Sequence, residues 1–130
     1  MAKFSKISEE RLNTCHPLLQ TLMREVIKTY DCTILCGRRN EQDQNKAFEG
    51  GFSKVKYPSS KHNLNPSHAV DALPSPIDWN DSIKHYHFAG YVQATADRLG
   101  IKIRWGGDFN QDGNLKNDRF LDIPHFELVL

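Results

Sequence analysis

No stretch of this sequence is apolar for anything like the roughly 20 residues that a membrane-spanning helix needs, so no membrane association is expected. The opening residues, MAKFSKISEER, also lack the continuous hydrophobic segment of a secretory signal, and synthesis in the cytoplasm is expected. Charge of one sign is missing too: 17 Lys and Arg face 16 Asp and Glu, a net charge of +1 with histidine neutral. No strong field therefore draws the chain to nucleic acid or to anionic lipid. Cysteine is scarce and odd in number, so Cys15, Cys32 and Cys36 cannot all pair within one chain. Cys32 and Cys36 stand in the apolar run CTILC, where reduced, buried thiols are expected. Internal repeats, low-complexity tracts and linkers are absent as well. What is left is 130 residues, 38% hydrophobic and 25% charged, long enough to form one domain over 1–130 without disulfide staples.

Periodicity sorts the chain into short helices and shorter strands. Ser8, followed by Glu9 and Glu10, has the form of a helix N-cap with acids on the helix dipole. Leu18, Leu19, Leu22, Met23, Val26, Ile27 and Tyr30 recur at helical spacing after Pro17, which predicts a helix running to about Tyr30. CTILC reads as a buried strand, and NEQDQNKAF as a polar helix stopped by Gly50-Gly51. Residues 51–68, with Pro58 and Pro66, form a long loop of the kind that carries function. HAVDAL is a strand with Ala69 and Asp71 on one face and Val70 and Ala72 on the other. Asp81 opens a helix whose Phe88, Tyr91, Val92, Ala96 and Leu99 share a side, closed by Gly100. IKIRW and HFELVL complete an α+β fold in which a small antiparallel or mixed sheet packs with helices.

The chemistry-bearing residues gather around the stretch SKHNLNPSHAVDALP. A hydrolytic zinc site needs about three protein ligands, commonly His or carboxylate, with a further position left for water. His62 and Asp71 supply two, and His125 at the head of the last strand supplies a third. Asp122, three residues earlier in DIPH, is placed to accept a proton from water and return it to a leaving amine. The bland alternative is a polar loop whose Asp71 faces water, and six histidines leave other groupings open. His68 is one rival, although strand alternation turns it away from Asp71. His85 and His87 read as surface or packing residues, Trp79 and Trp105 as core or groove wall. Glu127 shares a strand face with His125, as a hydrogen-bond partner or as a solvated side chain.

SKH, AVDALP and DIPHFEL, together with the upstream CGRRNEQDQ, resemble the M15-type zinc peptidases of the hedgehog/D-Ala-D-Ala-peptidase fold. IDWND and IRWGGDF make the likeness strongest to the phage endolysins that cut the L-alanyl-D-glutamate bond of peptidoglycan. The resemblance implies a hedgehog/DD-peptidase-like fold, zinc held by His62, Asp71 and His125, and Asp122 as catalytic acid/base. It also implies that Arg39 holds the substrate carbonyl or carboxylate and that Ser60 helps position substrate. The spacing from His62 to Asp71 is about two residues longer than in many members of that family. The partners implied are peptidoglycan stem peptides, met by a monomeric enzyme without a separate wall-binding module. Such an enzyme waits in the cytoplasm and reaches the cell wall after release. Cleavage at D-Ala-D-Ala, or a non-catalytic metal-stabilised binding domain, are the alternatives.

A second cation site is suggested by DFNQDGNLKND. Asp108, Asn110 and Asp112 stand at alternate positions before Gly113, as in the first half of an EF-hand calcium loop. Arg119 occupies the place of the closing Glu, so an Asn/Asp/Gly-rich turn competes evenly with Ca²⁺ binding.

Overall fold

In the computed structural model, residues 2–108, 111 and 122–130 are described. Asn110 and Asp112, two of the three residues of the expected calcium loop, lie outside the described residues. The elements run α1 (Lys6–Leu12), α2 (Pro17–Ile27), β1 (Cys32–Cys36), α3 (Glu41–Glu49), β2 (Ala69–Pro74), α4 (Ser82–Leu99), β3 (Ile103–Trp105) and β4 (His125–Leu128). The four strands form one sheet in the order β1-β2-β4-β3, and each ladder is antiparallel. This is the α+β arrangement expected from the pattern.

Period-two alternation gives the sheet two different faces. Ile34, Val70, Ala72, Phe126, Leu128 and Trp105 point to a core shared with Leu22, Met23 and Val26 of α2 and Phe88, Val92 and Ala96 of α4. The opposite face carries Asp71, His125 and Glu127, all buried and all ionisable. Fully burying a large apolar side chain contributes about 1.5–3 kcal/mol, whereas a buried charge costs free energy unless something compensates it. The apolar face stabilises the sheet and allows the other face to carry chemistry.

Several local expectations shift by a turn. The first helix is capped by Ser5, whose side chain accepts the Ser8 amide at 3.1 Å. Ser8 is buried inside the helix, and its Oγ accepts the amide of Ile34 at 3.1 Å. The hydroxyl that looked like a cap thus satisfies an amide of β1, the strand that ends the sheet order on that side. α2 ends at Ile27, and Tyr30 turns back to stack edge-on with Phe88 and Tyr91. Asp81 and Gly100 do bound α4, with Gly100 at φ 73°, a left-handed conformation that glycine adopts without strain. Trp105 is buried, but Trp79 is 65% exposed and belongs to neither core nor groove wall; its ring lies edge-on to that of buried His85. No helix among the described residues is long and apolar enough to cross a membrane.

Candidate metal centre

Strand register builds half of the site. Asp71 of β2 lies directly opposite His125 of β4, so their side chains rise side by side from the polar face. His62 arrives from the long loop, on a single 3-10 turn over Lys61–Asn63. That turn is capped by Ser60, whose side chain accepts the amide of His62 at 3.1 Å, while Asn63 reaches back to the Ser60 amide. The amide of Arg39 donates to the His62 carbonyl at 2.8 Å and ties the turn to the segment after β1.

Three ligand atoms converge. His62 Nε2 lies 3.1 Å from Asp71 Oδ1 and 3.2 Å from His125 Nδ1, and His125 Nδ1 lies 3.3 Å from the same Asp71 oxygen. The far side of each ring is already committed. His62 Nδ1 donates to the Gly37 carbonyl at 2.7 Å, and His125 Nε2 donates to Glu127 Oε1 at 2.8 Å. A carbonyl and an ionised carboxylate can only accept, so those two nitrogens carry the protons and the other two present lone pairs. Two lone pairs and a carboxylate oxygen within 3.3 Å of one another need a cation between them.

Zinc fits that triangle. Ligand atoms at the usual 2.0–2.1 Å around a tetrahedral ion stand about 3.3 Å apart, which matches the three separations here. The outer hydrogen bonds from each ring are also those that orient metal-bound histidines. Without a metal the same demand is met by protons. Burial disfavours charged rings, but Asp71 and the surrounding hydrogen bonds lift His62 to about 10 and His125 to about 9. Asp71, although buried, is held well below the usual carboxylate range by the two histidines.

Further residues frame this core. Asp122 Oδ2 lies 3.7 Å from His125 Nδ1, close to the cluster but farther out than the three converging atoms. Burial, and then the charge of Asp71, push its carboxyl above the ordinary aspartate range. Its turn is held against the exit of β3, where the amide of Asp122 donates to the Gly106 carbonyl at 2.8 Å. A Cβ on Gly106 would lie 2.0 Å from the Asp122 carbonyl oxygen, so only glycine allows this approach. Arg39 places its guanidinium 3.3 Å from Asp71 Oδ2 and 3.4 Å from Gln44 Oε1. Gln44 is completely buried and also donates to Ser53 and to the Val55 carbonyl, which joins α3 to the start of the long loop. A cavity of about 440 Å³ opens over the cluster, with Arg39, Ser60, His62, Asp122 and His125 in its lining.

The residues singled out from sequence therefore meet: His62, Asp71, His125, Asp122, Arg39 and Ser60 share one site. Ser60 does more than line the cavity, since its hydroxyl caps the turn that carries His62. His68 is turned away from the cluster, its ring edge-on to His16 at 5.3 Å. Of the expected calcium residues, Asp108 alone is described; its amide donates to the Trp105 carbonyl at 3.0 Å. Glu127 resolves in favour of the hydrogen-bonded alternative, and its contacts with His125 and Arg104 bring it down to about 2 against the opposing effect of burial. Cys36 is a residue that pattern reading missed. All three cysteines are free, but Cys36 is half-buried rather than buried, with Sγ 3.9 Å from His62 Nδ1. A register shift between Ile34 and Cys36 sets it opposite Asp71, which brings the thiol within reach of the donor set.

Comparison with known proteins gives a consistent family picture. The family model described as phage L-alanyl-D-glutamate peptidase matches residues 1–129. An L-alanyl-D-glutamate peptidase of Escherichia phage T5 is 33% identical over 135 aligned residues, covering 98% of each chain. Among solved structures, the L-Ala D-Glu endopeptidase of Serratia marcescens superposes with a TM-score of 0.74 at 26% identity. That match covers 98% of this chain and 90% of the other.

Proposed function

The chain belongs to the phage L-alanyl-D-glutamate peptidase family, and from that premise we propose that it is a zinc peptidase hydrolysing the L-Ala-D-Glu bond of peptidoglycan stem peptides. The observation that carries this reading is the triangle of His62 Nε2, Asp71 Oδ1 and His125 Nδ1, with edges of 3.1–3.3 Å and Asp122 beside it. These three residues would hold the ion. A divalent metal held there supplies Lewis acidity, polarising a carbonyl and acidifying water.

The protein's own groups supply the rest. Asp122 accepts a proton from the attacking water and delivers it to the amide nitrogen as the bond to the glutamyl residue breaks. Its place 3.7 Å from His125 Nδ1, at the edge of the triangle, suits both halves of that task. Arg39 donates to the second oxygen of Asp71 and lines the cavity, and a guanidinium fork there suits the substrate carbonyl. Glu127 and the Gly37 carbonyl hold the two imidazoles in the tautomers that expose the correct nitrogens. Ser60 keeps the His62 turn in place. The substrate lies in the bacterial cell wall.

Incubating the zinc-loaded protein with defined muropeptides, and locating the cut bond by mass spectrometry, tests the assignment. Products split between L-Ala and D-Glu are expected. Release of terminal D-Ala would give the enzyme a different bond, and no cleavage would leave a metal-stabilised binding domain.

A further inference from the structure

The cavity over the metal cluster has two unlike sides. Among the described residues of its lining, Phe52 and Val55 are the only apolar side chains, and they are 80% and 39% exposed. The hydrogen bonds of Gln44 place them. Arg39, which follows β1, donates to Gln44 at 3.4 Å, and Gln44 in turn donates to the Ser53 hydroxyl at 2.9 Å and to the Val55 carbonyl at 2.8 Å. This side of the cavity therefore belongs to the β1 end of the sheet. Asp122 stands at the β3 end, its amide donating to the Gly106 carbonyl, and Asp71 of β2 and His125 of β4 lie between.

Phe52 is exposed and yet fixed. Its amide and that of Ser53 both donate to the Ala47 carbonyl, at 2.8 and 3.1 Å, which closes the end of α3. The chain turns into it through Gly51 at φ 78°, where any other side chain would be strained. A Cβ on Gly50 would lie only 3.0 Å from two carbons of the Phe52 ring, so that glycine leaves the space in which the ring rests. The ring takes no part in the hydrophobic core. An aromatic side chain left in water gains little for the fold. At the mouth of a reactive cavity it offers a flat apolar face to whatever enters.

The direction of the reaction identifies what enters. Asp122 delivers its proton to the departing amine, so the glutamyl half of the substrate lies on the Asp122 side. The acyl half, L-Ala, then runs towards Arg39 and Phe52. Its carbonyl is the reacting group and its side chain is a single methyl, too small to cover a phenyl ring. The next group outward is the amino sugar, to which the stem is joined through a lactyl ether. A pyranose ring presents a face of C–H groups, and such a face packs on the electron-rich face of an aromatic ring. We propose that Phe52 packs against this sugar and makes the enzyme prefer stem peptides still attached to it over free ones. This rests on the L-Ala-D-Glu assignment above.

The test compares kcat/KM for two synthetic substrates with the same stem peptide, one carrying N-acetylmuramic acid and the other only the lactyl group. It uses the zinc-loaded wild type, Phe52→Ala and Phe52→Trp, which should all melt together because the ring lies outside the core. The wild type is expected to favour the sugar-bearing substrate by about tenfold, the scale of covering part of one aromatic ring. Phe52→Ala should bring the ratio to about one by losing rate on that substrate alone. Phe52→Trp, which keeps an aromatic face, should keep the preference. Equal rates on both substrates with the wild type would overturn the proposal while leaving the bond assignment intact. So would a Phe52→Ala variant that slows both by the same factor, or a Trp variant as unselective as Ala. Cleavage of neither substrate by the wild type would overturn the bond assignment, and the proposal with it.

Discussion

The two faces of the β2–β4 ladder are made of neighbouring residues and have opposite economies. Val70 and Phe126 pair across the strands and vanish into the apolar core, while Asp71 and His125, one step along, pair on the other side. Both pairs are buried, yet burial stabilises the first and burdens the second. Evenly apolar strands would hold the sheet together at least as well. The charged pair is therefore accounted for by a cation, and the apolar pair by the fold that holds the charged one in register.

Changes on the two faces should consequently fail in different ways. The largest effect on activity is expected from His125→Ala, which removes one corner of the triangle and leaves Asp71 and His62 without their third partner. Hydrolysis should fall to background and metal content, measured by elemental analysis, well below one ion per chain. Full metal occupancy in that variant would remove His125 from the site. Asp122→Ala should be milder and more selective. Turnover falls by roughly 10²–10⁴, as expected for loss of a general acid/base, while metal content and melting temperature stay close to the wild type. Near-normal turnover would refute the role given to Asp122. On the opposite face, Phe126→Ala should lower unfolding free energy by about 3–5 kcal/mol in denaturant titrations. The molecules that remain folded should still bind metal, because the lost ring contacts Phe88 and not the cluster.

The smallest effect sharpens the comparison through protons. In the metal-free protein His62 and His125 are raised to about 10 and 9, so the pair holds at least one extra proton at pH 7. A metal requires them neutral, so zinc binding at pH 7 should release at least one proton per ion, and affinity should rise with pH up to that range. The corresponding stabilisation of the metal-free fold is fully present below about 6.5, the unperturbed histidine value, and is lost as pH rises through 9 to 10. Calorimetric titration in buffers of different ionisation enthalpy would count the protons. Zinc binding without proton release would contradict the account of the two rings.

Much of this was legible in the sequence, and the parts that were not have physical reasons. Alternation in HAVDAL and HFELVL was enough to put Asp71 and His125 on polar faces, but not to say that they would stand opposite each other. Register depends on pairing partners 54 residues away. Strand alternation and the family motif both favoured His62 over His68, but neither could place His62, because the turn that carries it is made by Ser60 and Asn63 capping each other. Cys36 was invisible as a site residue because a register shift in β1 carries it opposite Asp71. Ser8 looked like a cap because serine serves at helix starts, yet tertiary contact turned its hydroxyl to an amide of the neighbouring strand. Gln44 stands in the family-like segment CGRRNEQDQ, but nothing in that polar helix marked it as buried, and its role emerged only once Asn63, Ser53 and Val55 were seen around it.

The claim on which all of this turns is that one divalent ion sits among His62, Asp71 and His125. Anomalous X-ray scattering from crystals of the zinc-loaded protein, recorded on both sides of the zinc edge, tests it directly. The account predicts a single strong peak within bonding distance of His62 Nε2, an Asp71 oxygen and His125 Nδ1. A peak held by other residues, or a fully active crystal with no zinc signal at that triangle, would contradict it.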